Sequence, residues 1–229
     1  MMEMYDKIKE KVRVIGKSIG VLFLYLLLNM ILGAIFGDLL TSTNEIISSI
    51  SYILIYILML LIISLCFSKT LIEHILTFKK ENIKIAIKNW AIGFGCMIIS
   101  NLYLTYFIGN IASNEASNRT LLMSNPIVSF LIMVIIAPLI EEIVFRLNLK
   151  KIVKNKYVFC IISALLFGGM HLFGAVSLKE LLYIIPYGSL GFFFAKAYYE
   201  TDNIYTSVIA HMFHNGLSVL VILLGTGIL

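Results

Sequence analysis

The chain has 229 residues, 60% of them hydrophobic and 14% charged, with a mean hydropathy of +0.96, against about 45–50% apolar and about 25% charged in soluble domains. A soluble domain of this length cannot bury so much apolar surface, and the apolar residues come in long runs rather than in alternation, so an all-α polytopic membrane protein is expected and a β-barrel is not. The net charge of +5 does not mark a nucleic-acid binder, because the lysines cluster between greasy segments instead of covering one polar face.

The N-terminal stretch MMEMYDKIKEKVRVIGKS precedes the apolar run Ile19 to Phe36. That run is too long for a signal peptide and no A-x-A-like cleavage site follows, so it reads as a retained first span. A span needs about 20 predominantly apolar residues. About seven stretches qualify, at 18–36, 46–67, 90–112, 126–148, 157–174, 180–199 and 204–225.

Between the second and third spans, residues 68–89 alternate isoleucines and leucines with lysines, the pattern of an amphipathic helix on an anionic leaflet. Residues 1–125 are thus expected to form three N-terminal spans plus this cytoplasmic segment, and 126–229 a four-helix core. No linker separates the two parts, so they make effectively one integral domain. Lysine-rich loops fall on one side if every span crosses, which predicts a multi-pass cell-membrane protein with the N-terminus cytoplasmic and the C-terminus outside. Cys66, Cys96 and Cys160 are scattered through apolar segments without CxxC spacing, which reads as reduced structural thiols.

The polar chemistry is concentrated in the last four spans. An ionisable side chain at bilayer depth costs at least ~2.5–3.5 kcal/mol, so a cluster of them marks a functional site. In EEIVFR, Glu142 and Arg146 are four apart and share a helical face, where they can pair, while Glu141 is turned by about 100° and left free. A free carboxylate in a desolvated pocket suits a general base working near neutral pH. FGGMH places Phe167 and His171 four apart, with Gly168 and Gly169 allowing close approach of another helix. HMFHN places His211 and Asn215 on one face with His214 beside them, two hydrogen-bond donors suited to an oxyanion hole.

Each group also has a structural reading: an interhelical hydrogen bond for a histidine or Asn215, a structural ion pair for Glu142 with Arg146. Their clustering in the last four spans, against almost none in the first three beyond Asn29 and Asn101, favours the functional one. Glu141, His171, His211 and His214 are also acceptable zinc ligands, although HExxH is absent. Water activation by metal and by carboxylate alone both stay open on spacing.

EExxxR, FxxxH and HxxxN, each in its own hydrophobic segment and in this order over about 130 to 218, resemble the CAAX protease and bacteriocin-processing (Abi) family of intramembrane endopeptidases. The resemblance implies a site below the membrane surface in which Glu141 and His171 activate water, His211 and Asn215 stabilise the oxyanion, and Glu142 and Arg146 brace the first helix. It favours a glutamate-dependent enzyme without obligatory metal; were zinc used, Glu141, His171 and His211 would be its ligands. His214 lies outside the pattern. The expected partners are a peptide or membrane-protein substrate and the lipid bilayer, with no nucleic acid. Bacteriocin or pheromone processing or immunity is expected ahead of CAAX removal. The rival expectation is a non-proteolytic immunity or scaffold protein that binds a peptide through the same cavity; a small transporter would need polar residues along several whole helices.

Overall fold

The computed structural model describes residues 2–40, 44–109 and 111–226, and among these it is helical throughout, with no strand. In chain order the helices are α1 (Met2–Leu40), α2 (Glu45–Leu65), α3 (Ser68–Leu76), α4 (Lys80–Ile108), α5 (Ser113–Ser124), α6 (Pro126–Lys151), α7 (Lys156–Met170), α8 (Ile184–Thr201) and α9 (Ile204–Thr226). A 3₁₀ turn, Leu178–Tyr183, leads into α8.

Helices stand at all seven expected positions, but five are long and apolar enough to cross a bilayer: α1, α2, α4, α6 and α9. α7 has 15 residues and ends before His171 instead of running to 174, and α8 has 18. The 68–89 segment is not one amphipathic helix. α3 stops at Leu76, and residues from Lys80 onward are the first turns of α4, which continues unbroken to the left-handed Gly109.

The lysine-rich segments meet at one end of the bundle. Ser18 and Asn148 exchange hydrogen bonds between α1 and α6, Asn148 Nδ2 donating to the Ser18 carbonyl at 2.9 Å. Lys151 lies 4.4 Å over the Phe67 ring. Lys150 pairs with Asp202 at 2.6 Å, Lys156 and Lys196 both pair with Glu200, and Lys196 donates to Asn89 of α4. α3 is tied to the start of α9 by Asn203 Nδ2, which donates to the His74 carbonyl, and by the Ile204 N–H, which donates to His74 Nδ1. The chain therefore returns to this end after each pair of passes, as the lysine pattern requires.

Two local features place the site. α6 is not a regular α-helix: π-helical turns at Leu131–Ile136 and Ile143–Asn148 interrupt it. Pro138 has no N–H to donate, and the Met133 carbonyl five residues before it is satisfied from outside by Asn215 Nδ2 at 2.7 Å. In the second π segment the Phe145 carbonyl accepts from Ser163 Oγ at 3.0 Å. Such π turns recur at functional sites because they re-aim side chains without ending the helix.

The other feature is the α7–α8 crossing, where small residues let the backbones touch. A Cβ on Gly168 would lie 3.1 Å from the backbone of both Gly188 and Ile184, whereas one on Gly169 would meet nothing within 4 Å. Gly168→Ala should therefore lower the unfolding midpoint in detergent by an amount equivalent to about 1–3 kcal/mol of overpacking, while Gly169→Ala is tolerated. Equal midpoints for the two variants would contradict this packing.

Candidate active site

Glu142 and Arg146 are both fully buried, 0% exposed, and pair at 3.0 Å. The guanidinium also donates through Nη2 to the Gly191 carbonyl at 3.2 Å and lies 4.4 Å over the Phe167 ring. Two buried charges thus pair, with a carbonyl and an aromatic face also against the guanidinium, while Arg146 Nε is buried without a hydrogen-bond partner among the described residues.

Glu142 does more than neutralise Arg146. Its Oε1 also sits 2.9 Å from His211 Nδ1. A carboxylate bound to a guanidinium can only accept, so Nδ1 carries a proton, and in the neutral tautomer Nε2 is the acceptor. Phe194 stacks on the His211 ring at 4.9 Å and Phe167 meets it edge-on at 5.4 Å, which fixes its plane. The sequence reading assigned Glu142 to bracing alone; the structure adds that it orients a histidine, across 69 residues of chain.

His211 Nε2 points toward Glu141, whose Oε2 is 3.8 Å away, too long for a hydrogen bond. Glu141 is 19% exposed, and Oε2 has no hydrogen-bond partner among the described residues. The helical offset between the two adjacent glutamates therefore does turn Glu141 away from the Arg146 pair.

His171 is the residue just past α7. Its Nδ1 is 2.8 Å from the Phe167 carbonyl, which can only accept, so here too Nδ1–H is the donor and Nε2 the acceptor. Tyr187 stacks on the ring at 4.6 Å with an interplanar angle of 27°. Asn215 donates one N–H to Met133, as above; the carbonyl there can only accept, which fixes the amide's orientation and leaves a second N–H.

Glu141, His171, His211 and Asn215 all line one cavity of about 250 Å³. Four groups on α6, α9 and the turn after α7 are thus brought to a common space. His214 lines it too, with Nδ1 buried and without a hydrogen-bond partner among the described residues. Sequence spacing did not mark Tyr187, nor Tyr56 of α2, nor Asn114 and Asn118 of α5, which complete the wall. The only signal for Asn114 and Asn118 was the polarity of SNEASNR between two apolar spans. Tyr56 and Tyr187 look like ordinary span residues. Among the described residues no group of three or more His, Cys, Asp or Glu side chains stands close enough together to hold a metal ion.

Residues 123–217 match the family model described as Type II CAAX prenyl endopeptidase Rce1-like. The stretch that carries EExxxR, FxxxH and HxxxN is thus similar to a family of endopeptidases. The matched stretch is less than half of the chain, yet it holds Glu141, Glu142, Arg146, His171, His211 and Asn215. α1, α2 and α4 lie outside the Rce1-like stretch, although Tyr56 reaches its cavity. A protein of Mycoplasma capricolum subsp. capricolum, described only as uncharacterised, is 40% identical over 91 residues, 39% of this chain and 26% of that protein. The matching stretch thus spans about a quarter of that relative's length. No solved structure matches.

Proposed function

We propose that the protein is an intramembrane endopeptidase that hydrolyses membrane-associated or hydrophobic peptides with a water activated by Glu141. The observation that carries this reading is the convergence of Glu141, His171, His211 and Asn215 on one cavity, with each histidine's tautomer set by a hydrogen bond on its far side. A water held between the Glu141 carboxylate and His171 Nε2 has two acceptors and is primed to lose a proton to Glu141 as it attacks the scissile carbonyl. Glu141 then passes that proton to the leaving amine, so one water and one amide give one acid and one amine.

The developing oxyanion needs preorganised donors. Asn215 supplies its second N–H, the first being spent on Met133, which anchors the amide plane. His211 can donate from Nε2 to the oxyanion only when that nitrogen carries a second proton, taken up from solvent before attack and returned to it after product release, while Nδ1–H stays on Glu142. The reading assigns no step to a metal. The physiological substrates we favour are peptides of the bacteriocin or pheromone kind.

The test is hydrolysis by purified protein in detergent or liposomes, with a fluorogenic peptide series carrying hydrophobic segments. Cleavage is expected, and incubation with a strong chelator should leave the rate unchanged. Loss of activity restored by zinc would overturn the carboxylate mechanism. Absence of cleavage across the series, together with unimpaired function of Glu141→Ala in cells, would replace the protease reading with a peptide-binding one.

A further inference from the structure

The cavity is lopsided along the bundle axis. Of its lining residues, Tyr56, Glu141, Phe194 and His211 lie about 10–15 Å from the lysine-rich ends of their helices on the 1.5 Å rise. Beyond them toward that end the interior is closed: Val144, Phe145, Leu147, Phe159, Ala195 and Ala197 are all 2% exposed or less. The charged cluster of Lys156, Lys196, Glu200 and Asn89 lies at that same end.

In the other direction the wall continues. Ser218 and Ile222 line it at about 21 and about 27 Å from the start of α9. The lining ends on α5, which contributes Asn114, Glu115 and Asn118. Because α5 connects the far end of α4 to the first residue of α6, it sits at the lysine-poor end.

α5 differs in composition from the spanning helices among the described residues. It is polar, yet three hydrogen bonds hold its two ends over the cavity. The Ser113 N–H donates to Glu180 at 3.1 Å, Asn114 Nδ2 reaches the Tyr187 hydroxyl at 3.5 Å, and Ser49 Oγ donates to Asn125, just past its C-terminus, at 3.0 Å. Arg119 pairs with Glu115 at 2.8 Å, so the rim carries amides and a neutralised ion pair. Such a rim hydrogen-bonds a peptide backbone or solvated side chains, and it penalises a lipid tail.

We infer that the substrate peptide enters from the lysine-poor face, under α5, and that the lysine-rich face is sealed. With the lysine loops cytoplasmic by the positive-inside bias, the substrates are peptides presented on the extracytoplasmic side. What enters rests on the endopeptidase reading; where the mouth lies does not.

The experiment starts from a chain in which Cys66, Cys96 and Cys160 are replaced by alanine, expressed in intact cells. Single variants Asn118→Cys at the rim, Ser218→Cys on the inner wall and Lys154→Cys in the lysine loop are treated with a membrane-impermeant maleimide before and after permeabilisation. Asn118→Cys and Ser218→Cys should react in intact cells, and Lys154→Cys only after permeabilisation. The reverse pattern would overturn the extracytoplasmic assignment, and a Ser218→Cys that reacts from neither side would overturn the open mouth.

A second arm adds a membrane-impermeant peptide, first shown to be cleaved in detergent, to sealed vesicles of each orientation. Right-side-out vesicles should cleave it at least tenfold faster than inside-out ones, and equal or inverted rates would overturn the route. Failure of the detergent control with correct labelling would count against the protease reading and not against the mouth.

Discussion

Glu141→Gln should abolish peptide hydrolysis, with a loss of about 10²–10⁴-fold for removal of a general base, while expression and thermal midpoint stay near those of the parent. The asymmetry follows from the local structure. Glu141 is partly exposed to the cavity, and its Oε2 makes no hydrogen bond among the described residues. Glutamine keeps its shape and removes only the basic oxygen. No buried partner is orphaned, so the mechanisms that give large destabilisation are absent. Initial rates on a fluorogenic peptide, measured beside thermal unfolding of the same preparation, check both halves. A normally folded Glu141→Gln protein with parental rates would remove the carboxylate from the chemistry.

Arg146→Met should do the opposite and damage the fold first. The guanidinium is 0% exposed, pairs with Glu142 at 3.0 Å, donates to Gly191 and packs on Phe167. Removing it strands the Glu142 carboxylate in the interior, a loss of about 3–5 kcal/mol for one partner of a buried pair. Detergent-solubilised protein should show a clearly lowered midpoint and reduced yield. The double variant Glu142→Gln, Arg146→Met removes both charges and should recover much of that loss. A single Arg146→Met variant as stable as the parent would show that the pair does not support α6.

The two substitutions separate the roles of adjacent positions, and the separation was partly legible beforehand. A helical repeat of 3.6 residues places Glu142 with Arg146 and turns Glu141 elsewhere, and the structure keeps that arrangement. What the repeat could not show is that Glu142 faces His211 as well, because that contact joins α6 to α9. Asn215 is a similar case. Its spacing from His211 suggested a donor pair on one face, whereas one of its hydrogens is already given to Met133, a carbonyl within a π turn five residues before Pro138. Nothing in local periodicity announces a π turn, and the carbonyl that Pro138 cannot serve finds its partner on another helix.

Boundaries failed where apolar runs and helices do not coincide. Residues 171–174 are hydrophobic enough to extend a span, yet α7 stops at Met170 and His171 occupies the turn, where its ring can hydrogen-bond the Phe167 carbonyl. Residues 80–88 read by their charge as part of an amphipathic surface segment, yet they begin α4, because lysines on one helical face remain in water while Asn82, Ala86 and Asn89 are buried on the other.

Composition and lysine placement alone determined that this is a helical membrane protein whose basic segments gather at one end, since transfer free energies depend on residue type and run length. Motif order alone pointed to the family whose model matches residues 123–217 and named the polar residues of the last four helices. Tertiary structure decided which of those residues share a space, that Glu142 orients His211, that Tyr56, Tyr187 and α5 complete the walls, and that the cavity is closed toward the lysines. Those are distances between groups dozens of residues apart, fixed by how the helices pack and not by any local preference of the chain.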